Sequence, residues 1–392
     1  ATVAKANIVR SEAEHFMKNW TFAAILAFGL GGFGLSGLIA SNQASAQGVA
    51  GYNLETVVDG LDSPWSLAIL PDGDMLITEL TGDLRHIRNG KLVAQAVAGV
   101  PQSLYGGQGG LMDIVIHPNY DENRYVYLSL SVGTDDANAL RVIRGRFTGT
   151  ALEDISTIFE SAPSKNTLVH YGARMAFLPD NTLLINVGDG FDLREQAQNL
   201  SNHFGSLVRV TDDGKVPQDN PFIGVAGAQP EIYSYGHRNQ QSIAVERGSG
   251  KIYQTEHGPR GGDELNLIEA GKNYGWPVAT YGIDYSGARI SPYTSYEGTK
   301  QPLLDWTPSI GPSGMTIYDG AQFPDWQGDI FVSSLIYSKI IHIDMVDGAP
   351  QRQSDMFSEI GDRLRDIRTG ADGALYILSE GDNGKLWRVS RR

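Results

Sequence analysis

A histidine and an aspartate in this sequence are spaced so that they could act together in proton transfer. His170 precedes an apolar strand-like segment, and Asp189, in Val-Gly-Asp-Gly, follows the next such segment. A neutral imidazole can accept a proton near pH 7, and a carboxylate can orient it and stabilise its charged form. Most of the eight histidines are expected to be structural or exposed, as His117 before Pro118 is, and Asp189 also suits an ordinary turn.

Several other side chains suit an anionic ligand. Arginine offers a planar set of donors that matches carboxylates, and amide side chains can donate and accept hydrogen bonds. Arg363 and Arg365 alternate, so they share one face of a strand, which is either a solvated edge or a clamp for an anion. The candidate residues of this kind are Gln108 within Gly-Gly-Gln-Gly-Gly, Arg238, Asn239, Arg363 and Arg365.

The segment 252–285 combines oxygen ligands with tight turns. Gly258 and Pro259 begin a glycine-rich turn that exposes backbone carbonyls, and Asp263 and Glu264 follow it. Closely spaced carbonyls and carboxylates are the ligands that Ca²⁺ prefers. The segment therefore indicates a calcium site, although an ordinary acidic loop would have the same composition.

Composition limits the partners of the protein. The chain has 392 residues and a formal net charge of −14, which argues against nucleic acid or an anionic membrane as a partner. It contains no cysteine, so disulfides, thiolate metal sites and cysteine nucleophiles are excluded. The absence of cysteine leaves the cellular compartment open.

The N-terminal region has the pattern of a signal peptide. From Met17 a basic start is followed by an apolar run and by the small residues Ala44-Ser45-Ala46. The run is close to membrane-spanning length, but its glycines and the small-residue motif favour cleavage. We expect a signal peptide at 17–46, preceded by an upstream extension at 1–16, and a periplasmic mature protein without stable membrane insertion.

A hairpin pattern recurs six times along the remaining chain. In each copy two apolar strands flank a turn, with turn centres near residues 72, 119, 180, 248, 323 and 372. This spacing is typical of propeller blades, whose apolar faces only neighbouring blades can cover. We predict an all-β fold over 48–392, a six-bladed β-propeller of four-stranded antiparallel blades. A pair of β-sandwiches is the alternative.

Longer motifs resemble a known family. They are GGQGGLMDIVIHPNY, His170 with VGDG downstream, YSYGHRNQQSIA, EHGPRGGDELNLIEAGKNYGWP, PSGM and RLRDIRTGADG. In this order, over about residues 50–390, they resemble the soluble sugar dehydrogenases that depend on pyrroloquinoline quinone (PQQ), and more narrowly the periplasmic aldose sugar dehydrogenases.

The resemblance implies PQQ and Ca²⁺ at the mouth of the propeller channel. It implies that His170 is the catalytic base, that Asp189 supports it and that Arg238 polarises the quinone carbonyl. The residues implied to contact PQQ are Gln108, His170, Arg238, Asn239, Tyr285, Arg363 and Arg365. The residues implied to bind Ca²⁺ are Gly258 and Pro259 beside PQQ, and Glu264 with the Tyr274 carbonyl at a second, structural site nearby.

One position departs from the family pattern. Where the glucose enzymes place a lysine against the cofactor, this chain has Ile336, and Lys339 follows three residues later. The resemblance therefore leaves open how the cofactor is held on that side.

The function expected from the resemblance is oxidation of an aldose at C1 to the lactone, with hydride transfer to the quinone and electrons passing to an external acceptor. A calcium-dependent propeller lactonase is one alternative, and a noncatalytic propeller that binds carbohydrate or protein is another. The sequence does not choose between a monomer and a homodimer.

Overall fold

The structure is a computed structural model that describes residues 51–392. The signal peptide predicted at 17–46 and the extension at 1–16 lie outside the described residues. Within 51–392, no helix combines the length and the apolar character needed to cross a membrane.

Six four-stranded antiparallel sheets form the protein. The strands are β1 (Tyr52–Leu61), β2 (Pro64–Ile69), β3 (Met75–Glu79), β4 (Leu84–Arg88), β5 (Lys91–Leu92), β6 (Leu111–Ile116), β7 (Tyr125–Thr134), β8 (Ala137–Phe147), β9 (Leu152–Glu160), β10 (Gly172–Phe177), β11 (Leu183–Val187), β12 (Ser206–Val210), β13 (Ile232–Tyr235), β14 (Gln240–Val245), β15 (Ile252–Glu256), β16 (Asp263–Ile268), β17 (Leu304–Trp306), β18 (Pro312–Ile317), β19 (Ile330–Ser334), β20 (Lys339–Val346), β21 (Ala349–Met356), β22 (Leu364–Thr369), β23 (Leu375–Ser379) and β24 (Gly384–Arg391). The helical pieces are one α-helical turn, Tyr120–Asn123, and three short 3₁₀ segments, Arg194–Gln198, Pro324–Trp326 and Ser358–Ile360.

Five of the blades consist of four consecutive strands, starting at β2, β6, β10, β14 and β18. The first strands of neighbouring blades contact one another, so they surround the centre of the ring. Each predicted hairpin turn joins the first two strands of a blade, and the predicted six-bladed propeller is confirmed.

The sixth blade joins the two ends of the described chain. It contains β22, β23 and β24, and β1 completes it by pairing with β24 from Tyr52 opposite Arg391 to Leu61 opposite Gly384. The ring is therefore closed by backbone hydrogen bonds between segments more than 300 residues apart in sequence.

Apolar side chains fill the spaces between blades. Leu140 and Val142 of the second blade pack in one buried cluster with Met175 and Ile185 of the third. This is the mutual burial that makes a single blade unstable alone and a closed ring stable.

A buried ionic network joins the inner strands. Arg174 Nη1 lies 3.1 Å from Asp113 Oδ1 and 3.3 Å from Asp366 Oδ1, and all three side chains are buried. Arg174 also donates to the carbonyl of Arg365. Because these residues come from β6, β10 and β22, the network links three different blades around the channel. Buried charges of this kind require partners, since an unpaired one is costly.

Candidate functional site

Strand register brings His170 and Asp189 together. Gly172 at the start of β10 pairs with Val187 at the end of β11. His170, two residues before Gly172, therefore faces Asp189, two residues after Val187. His170 Nδ1 lies 2.7 Å from Asp189 Oδ1. The backbone can come this close because residue 188 is glycine: a Cβ there would lie 2.3 Å from the His170 carbonyl oxygen.

Asp189 is held from three directions. Its Oδ1 also accepts the backbone N–H of Phe191 at 2.8 Å, and its Oδ2 accepts the indole N–H of Trp276 at 2.7 Å. Burial would raise the pKa of this carboxyl, but the hydrogen bond and charge of His170, with smaller contributions from Arg238 and Phe191, lower the pKa below its ordinary value. Asp189 is therefore a fixed, ionised acceptor.

His170 is oriented by its backbone as well as its ring. Its N–H donates to Gln108 Oε1 at 2.7 Å, and its φ of 54° lies in the left-handed region. An ionised Asp189 accepts from Nδ1, which leaves Nε2 as the ring nitrogen able to accept a proton. Burial lowers the pKa of His170, and the hydrogen bond that its Nδ1–H donates to Asp189 opposes this only in part.

Arg238 links the histidine to the glycine-rich turn. Its backbone carbonyl accepts the N–H of Asp189 at 2.8 Å, and its Nη1 donates to the Gly258 carbonyl at 2.6 Å. The next residue, Asn239, is buried, and its Oδ1 accepts the N–H of Gly172 at 3.2 Å. The structure thus brings His170, Arg238 and the predicted metal-binding turn to one place.

A cavity of about 310 Å³ lies beside these groups. Phe191, whose ring meets His170 edge-on at 5.0 Å, forms one part of the wall, and Tyr285 stacks on Phe191 at 6.3 Å. Arg238, Pro259 and Trp276 line it as well. Arg194 and three acidic residues, Asp192, Glu195 and Asp284, complete its polar lining. The cavity therefore combines aromatic rings with charged groups of both signs, which suits a polar, hydroxyl-rich molecule such as a sugar.

Two carboxylates, the buried Glu256 and the half-buried Glu264, lie side by side near the turn. Glu256 and Glu264 are paired residues of β15 and β16, and Asn266 Nδ2 donates to both. Burial, followed by the charge of Glu256, raises the pKa of Glu264 well above its usual range. A small cavity between them is also lined by Gly258 and Tyr274.

Asp263, which the sequence grouped with Glu264 as an oxygen ligand, has a different role. Its Oδ1 accepts the N–H of Gly258, and its Oδ2 accepts the N–H groups of Ile310 and Gly311, all within 2.9 Å. These backbone bonds fix the turn, whereas Glu256 and Glu264 are the carboxylates that line the small cavity.

Arg363 and Arg365 share one face, as their alternation predicts, and both pair with Glu380. Arg363 Nε lies 2.6 Å from Glu380 Oε2, and Arg365 Nη2 bonds to Oε1. Although burial favours the neutral acid, Arg365 and then Arg363 hold the pKa of Glu380 to about 2. Glu380 follows β23 directly, opposite the start of β22, and no motif in the sequence marked it.

Lys339 does not replace the lysine missing at position 336. Its Nζ pairs with Asp355 on β21 at 2.7 Å, whereas Ile336 is 54% exposed on the preceding turn. Sequence reasoning also gave no individual role to Trp276 or Glu256, although both lie within the long segment that it singled out.

Fold and site together define a class of protein: a six-bladed propeller with a buried histidine–aspartate pair beside an arginine-lined cavity. The chain belongs to the glucose/sorbosone dehydrogenase family, whose model matches residues 61–388. Aldose sugar dehydrogenase YliI of Escherichia coli is 41% identical over 367 residues, which cover 92% of this chain and 98% of the relative. Quinoprotein glucose dehydrogenase B of Acinetobacter calcoaceticus is 28% identical over 414 residues, or 84% of this chain and 85% of the relative.

A solved structure agrees with these matches. The PQQ-bound form of an aldose sugar dehydrogenase from Streptomyces coelicolor superposes with a TM-score of 0.71 at 27% identity, covering 87% of this chain and 99% of the other. The predicted family and enzyme class, a sugar dehydrogenase, are confirmed by these findings.

Proposed function

We propose that this protein is a PQQ- and calcium-dependent oxidoreductase that oxidises aldose sugars at C1 to lactones. The observation that carries the proposal is the His170–Asp189 contact of 2.7 Å beside a cavity lined by Arg238. A base poised in this way suits removal of a hydroxyl proton, and the arginines suit an anionic cofactor.

The residues present fit PQQ. Asn239 Nδ2 and Arg365 Nε are buried donors that have no hydrogen-bond partner among residues 51–392. Buried donors normally have partners, so acceptor oxygens of a bound anion would satisfy them. The residues that would hold the cofactor are Gln108, His170, Arg238, Asn239, Tyr285, Arg363 and Arg365. When bound, PQQ supplies the acceptor for the hydride that leaves the sugar.

The residues present also fit Ca²⁺. Glu256 is buried and its Oε1 lies 3.1 Å from His237 Nδ1, whereas the half-buried Glu264 beside it has no ion-pair partner among the described residues. A divalent cation would offset this excess of negative charge. Glu264 and Tyr274 would hold such an ion, and the carbonyls of Gly258 and Pro259 would hold one next to the cofactor.

The catalytic work of the chain itself is proton transfer and positioning. His170 Nε2 would accept the proton of the C1 hydroxyl, and Asp189 would stabilise the resulting imidazolium. Arg238 supplies positive charge at the cavity, where negative charge develops as the reaction proceeds. Phe191 and Tyr285 would pack against the sugar and exclude water.

Export to the periplasm remains part of the proposal. It is supported by the signal-peptide pattern at 17–46. The proposal includes an external electron acceptor, and the sequence given offers no cysteine ligands for an iron–sulfur centre.

The test is reconstitution of cofactor-free protein with PQQ and Ca²⁺, followed by dye reduction with glucose or xylose and identification of the product. We expect sugar-dependent reduction and a lactone or its aldonic acid, and a fall in kcat of about 10²–10⁴-fold in His170→Ala. Absence of sugar-dependent reduction would exclude the dehydrogenase. Hydrolysis of a lactone without quinone would instead favour the lactonase.

A further inference from the structure

A lysine is buried next to the candidate base. Lys165 is 6% exposed and is the one buried lysine among residues 51–392. Its Nζ donates to the carbonyls of Thr167 at 2.6 Å and Val169 at 2.7 Å. The same ammonium lies 3.5 Å from the centre of the Tyr171 ring. It thus contacts the residue before His170 and the residue after it.

Among residues 51–392, no carboxylate forms an ion pair with Lys165. Burial lowers the pKa of Lys165 to about 7, and Asp189 is the charged group that opposes this. A buried ammonium without a paired carboxylate costs free energy. Most lysines are exposed and contribute to solubility, so the burial of Lys165 requires another explanation.

The surrounding loop is anchored to the second blade. The backbones of Lys165 and Asn138 exchange two hydrogen bonds of 2.8 Å, and the Tyr171 hydroxyl donates to Asn138 Oδ1 at 2.7 Å. Between these anchors the carbonyls of residues 167 and 169 turn inward, where buried acceptors need donors. An ammonium with three donors satisfies both and lies over the adjacent aromatic ring.

We propose that Lys165 is a positioning residue for His170. By bonding the carbonyl on one side and packing on the ring of Tyr171 on the other, it holds His170 at its φ of 54°, in which Nδ1 reaches Asp189. Its positive charge also disfavours the imidazolium, so the free base is kept neutral. This rests on the proposed function only in that His170 is taken as the base.

The titratable and charged groups that face His170 are Asp189, Arg238, Lys165 and His257. Burial lowers the pKa of His257 to about 3, so this ring stays neutral where His170 titrates. Asp189 favours the imidazolium, whereas Arg238 and Lys165 disfavour it. Removal of the Lys165 charge therefore raises the pKa of His170. Loss of the two hydrogen bonds from Lys165 to backbone carbonyls, by contrast, loosens the imidazole ring of His170. The change in pKa and the change in ring position can therefore be separated by different substitutions at residue 165.

The experiment uses cofactor-free protein with labelled histidine, so it does not depend on the proposed function. NMR titration of the His170 ring is recorded for the wild type, Lys165→Met and Lys165→Gln, with His170→Gln to assign the signal. Lys91→Met, on an exposed strand of the first blade, is the matched control. Thermal melting establishes that each variant is folded.

We expect Lys165→Met to raise the pKa of His170 and to weaken the low-field Nδ1 proton signal of the bond to Asp189. Lys165→Gln keeps a donor for the carbonyls, so it should retain that signal while still raising the pKa. Lys91→Met should change neither. A folded Lys165→Met variant with the wild-type titration and the wild-type Nδ1 signal would overturn the proposal.

Kinetics of the reconstituted enzyme give a second readout. If Lys165 positions the base, Lys165→Met lowers kcat by about 10–100-fold with KM nearly unchanged, because misplacement of a catalytic group affects the chemical step. A loss of melting temperature with kcat within about twofold of the wild type would show a purely structural role and contradict the proposal.

Discussion

Trp276 donates its indole N–H to Asp189 Oδ2 at 2.7 Å, the carboxylate oxygen opposite the one that contacts His170. Trp276 belongs to the turn after β16. It also lines both the cavity beside Arg238 and the small cavity beside Glu264. The aspartate that orients the base is thus fixed by the segment that carries the predicted calcium ligands.

The first prediction concerns this hydrogen bond. Trp276→Phe leaves Asp189 Oδ2 buried without its donor, which should cost about 1–3 kcal/mol of stability and lower kcat by about 10–100-fold through a less well-oriented imidazole. Steady-state kinetics and urea unfolding measure the two effects.

Trp326→Phe is the matched control, since Trp326 is equally buried at 7% exposure but lies in the core cluster of the fifth and sixth blades. It should lose stability without loss of kcat in the folded protein. Equal kcat values for the two variants would contradict a role for Trp276 at the base.

The second prediction concerns pH. Neutral His170 is the active form, so kcat/KM falls as pH drops through its pKa, and burial sets that pKa below the ordinary value of about 6.5. The acid limb should therefore lie below pH 6.5. Asp189→Asn removes the charge that favours the imidazolium, so it should move the limb further down and lower kcat by about 10²–10⁴-fold.

Asp382→Asn, at an exposed position after β23, provides the comparison. Its profile should match the wild type. An acid limb above pH 6.5, or one that Asp189→Asn leaves in place, would show that another group controls the rate.

The third prediction separates the two arginines that share Glu380. The side chain of Arg365 is 11% exposed and that of Arg363 is 53% exposed, so a bond to an anionic cofactor is less screened at Arg365. Arg365→Lys should raise the Kd for PQQ by about 10–100-fold because lysine lacks the planar donor set. Arg363→Lys should raise it by less than about tenfold.

Isothermal titration calorimetry with PQQ at constant Ca²⁺ measures both constants, and each variant serves as the control for the other. A larger effect at Arg363 would mean that exposure does not govern the strength of this clamp.

The fourth prediction concerns calcium. Ca²⁺ at 100 times its Kd should stabilise the folded protein by about 2.7 kcal/mol, seen as a rise in melting temperature that EDTA reverses. Glu264→Gln removes one of two adjacent carboxylates, so the metal-free protein should melt at the same or a higher temperature, and the calcium-induced rise should be reduced.

Glu297→Gln, an exposed glutamate on a loop, should leave the calcium-induced rise unchanged. A full calcium response in Glu264→Gln would place the ion elsewhere.

Much of the fold could be predicted from local patterns. Each hairpin turn is encoded by its own residues, since Pro, Asp and Gly between apolar runs favour a turn wherever they occur. The position of His170 before β10 and of Asp189 after β11 also follows from local register, so their pairing was predictable once the hairpin was recognised. The regular alternation of Arg363 and Arg365 placed them on one face for the same reason.

Other relationships depend on contacts between segments distant in sequence. The pairing of β1 with β24, the Trp276 bond to Asp189 and the pairing of Glu380 with two arginines carry no short-range signal. Lys165 looks like an ordinary loop lysine in the sequence, and only the packed structure buries it beside His170. Strands, turns and the chemical groups they carry are encoded locally, because each depends on neighbouring residues. Which groups meet, and how far they are desolvated, depends instead on how the six blades close into a ring.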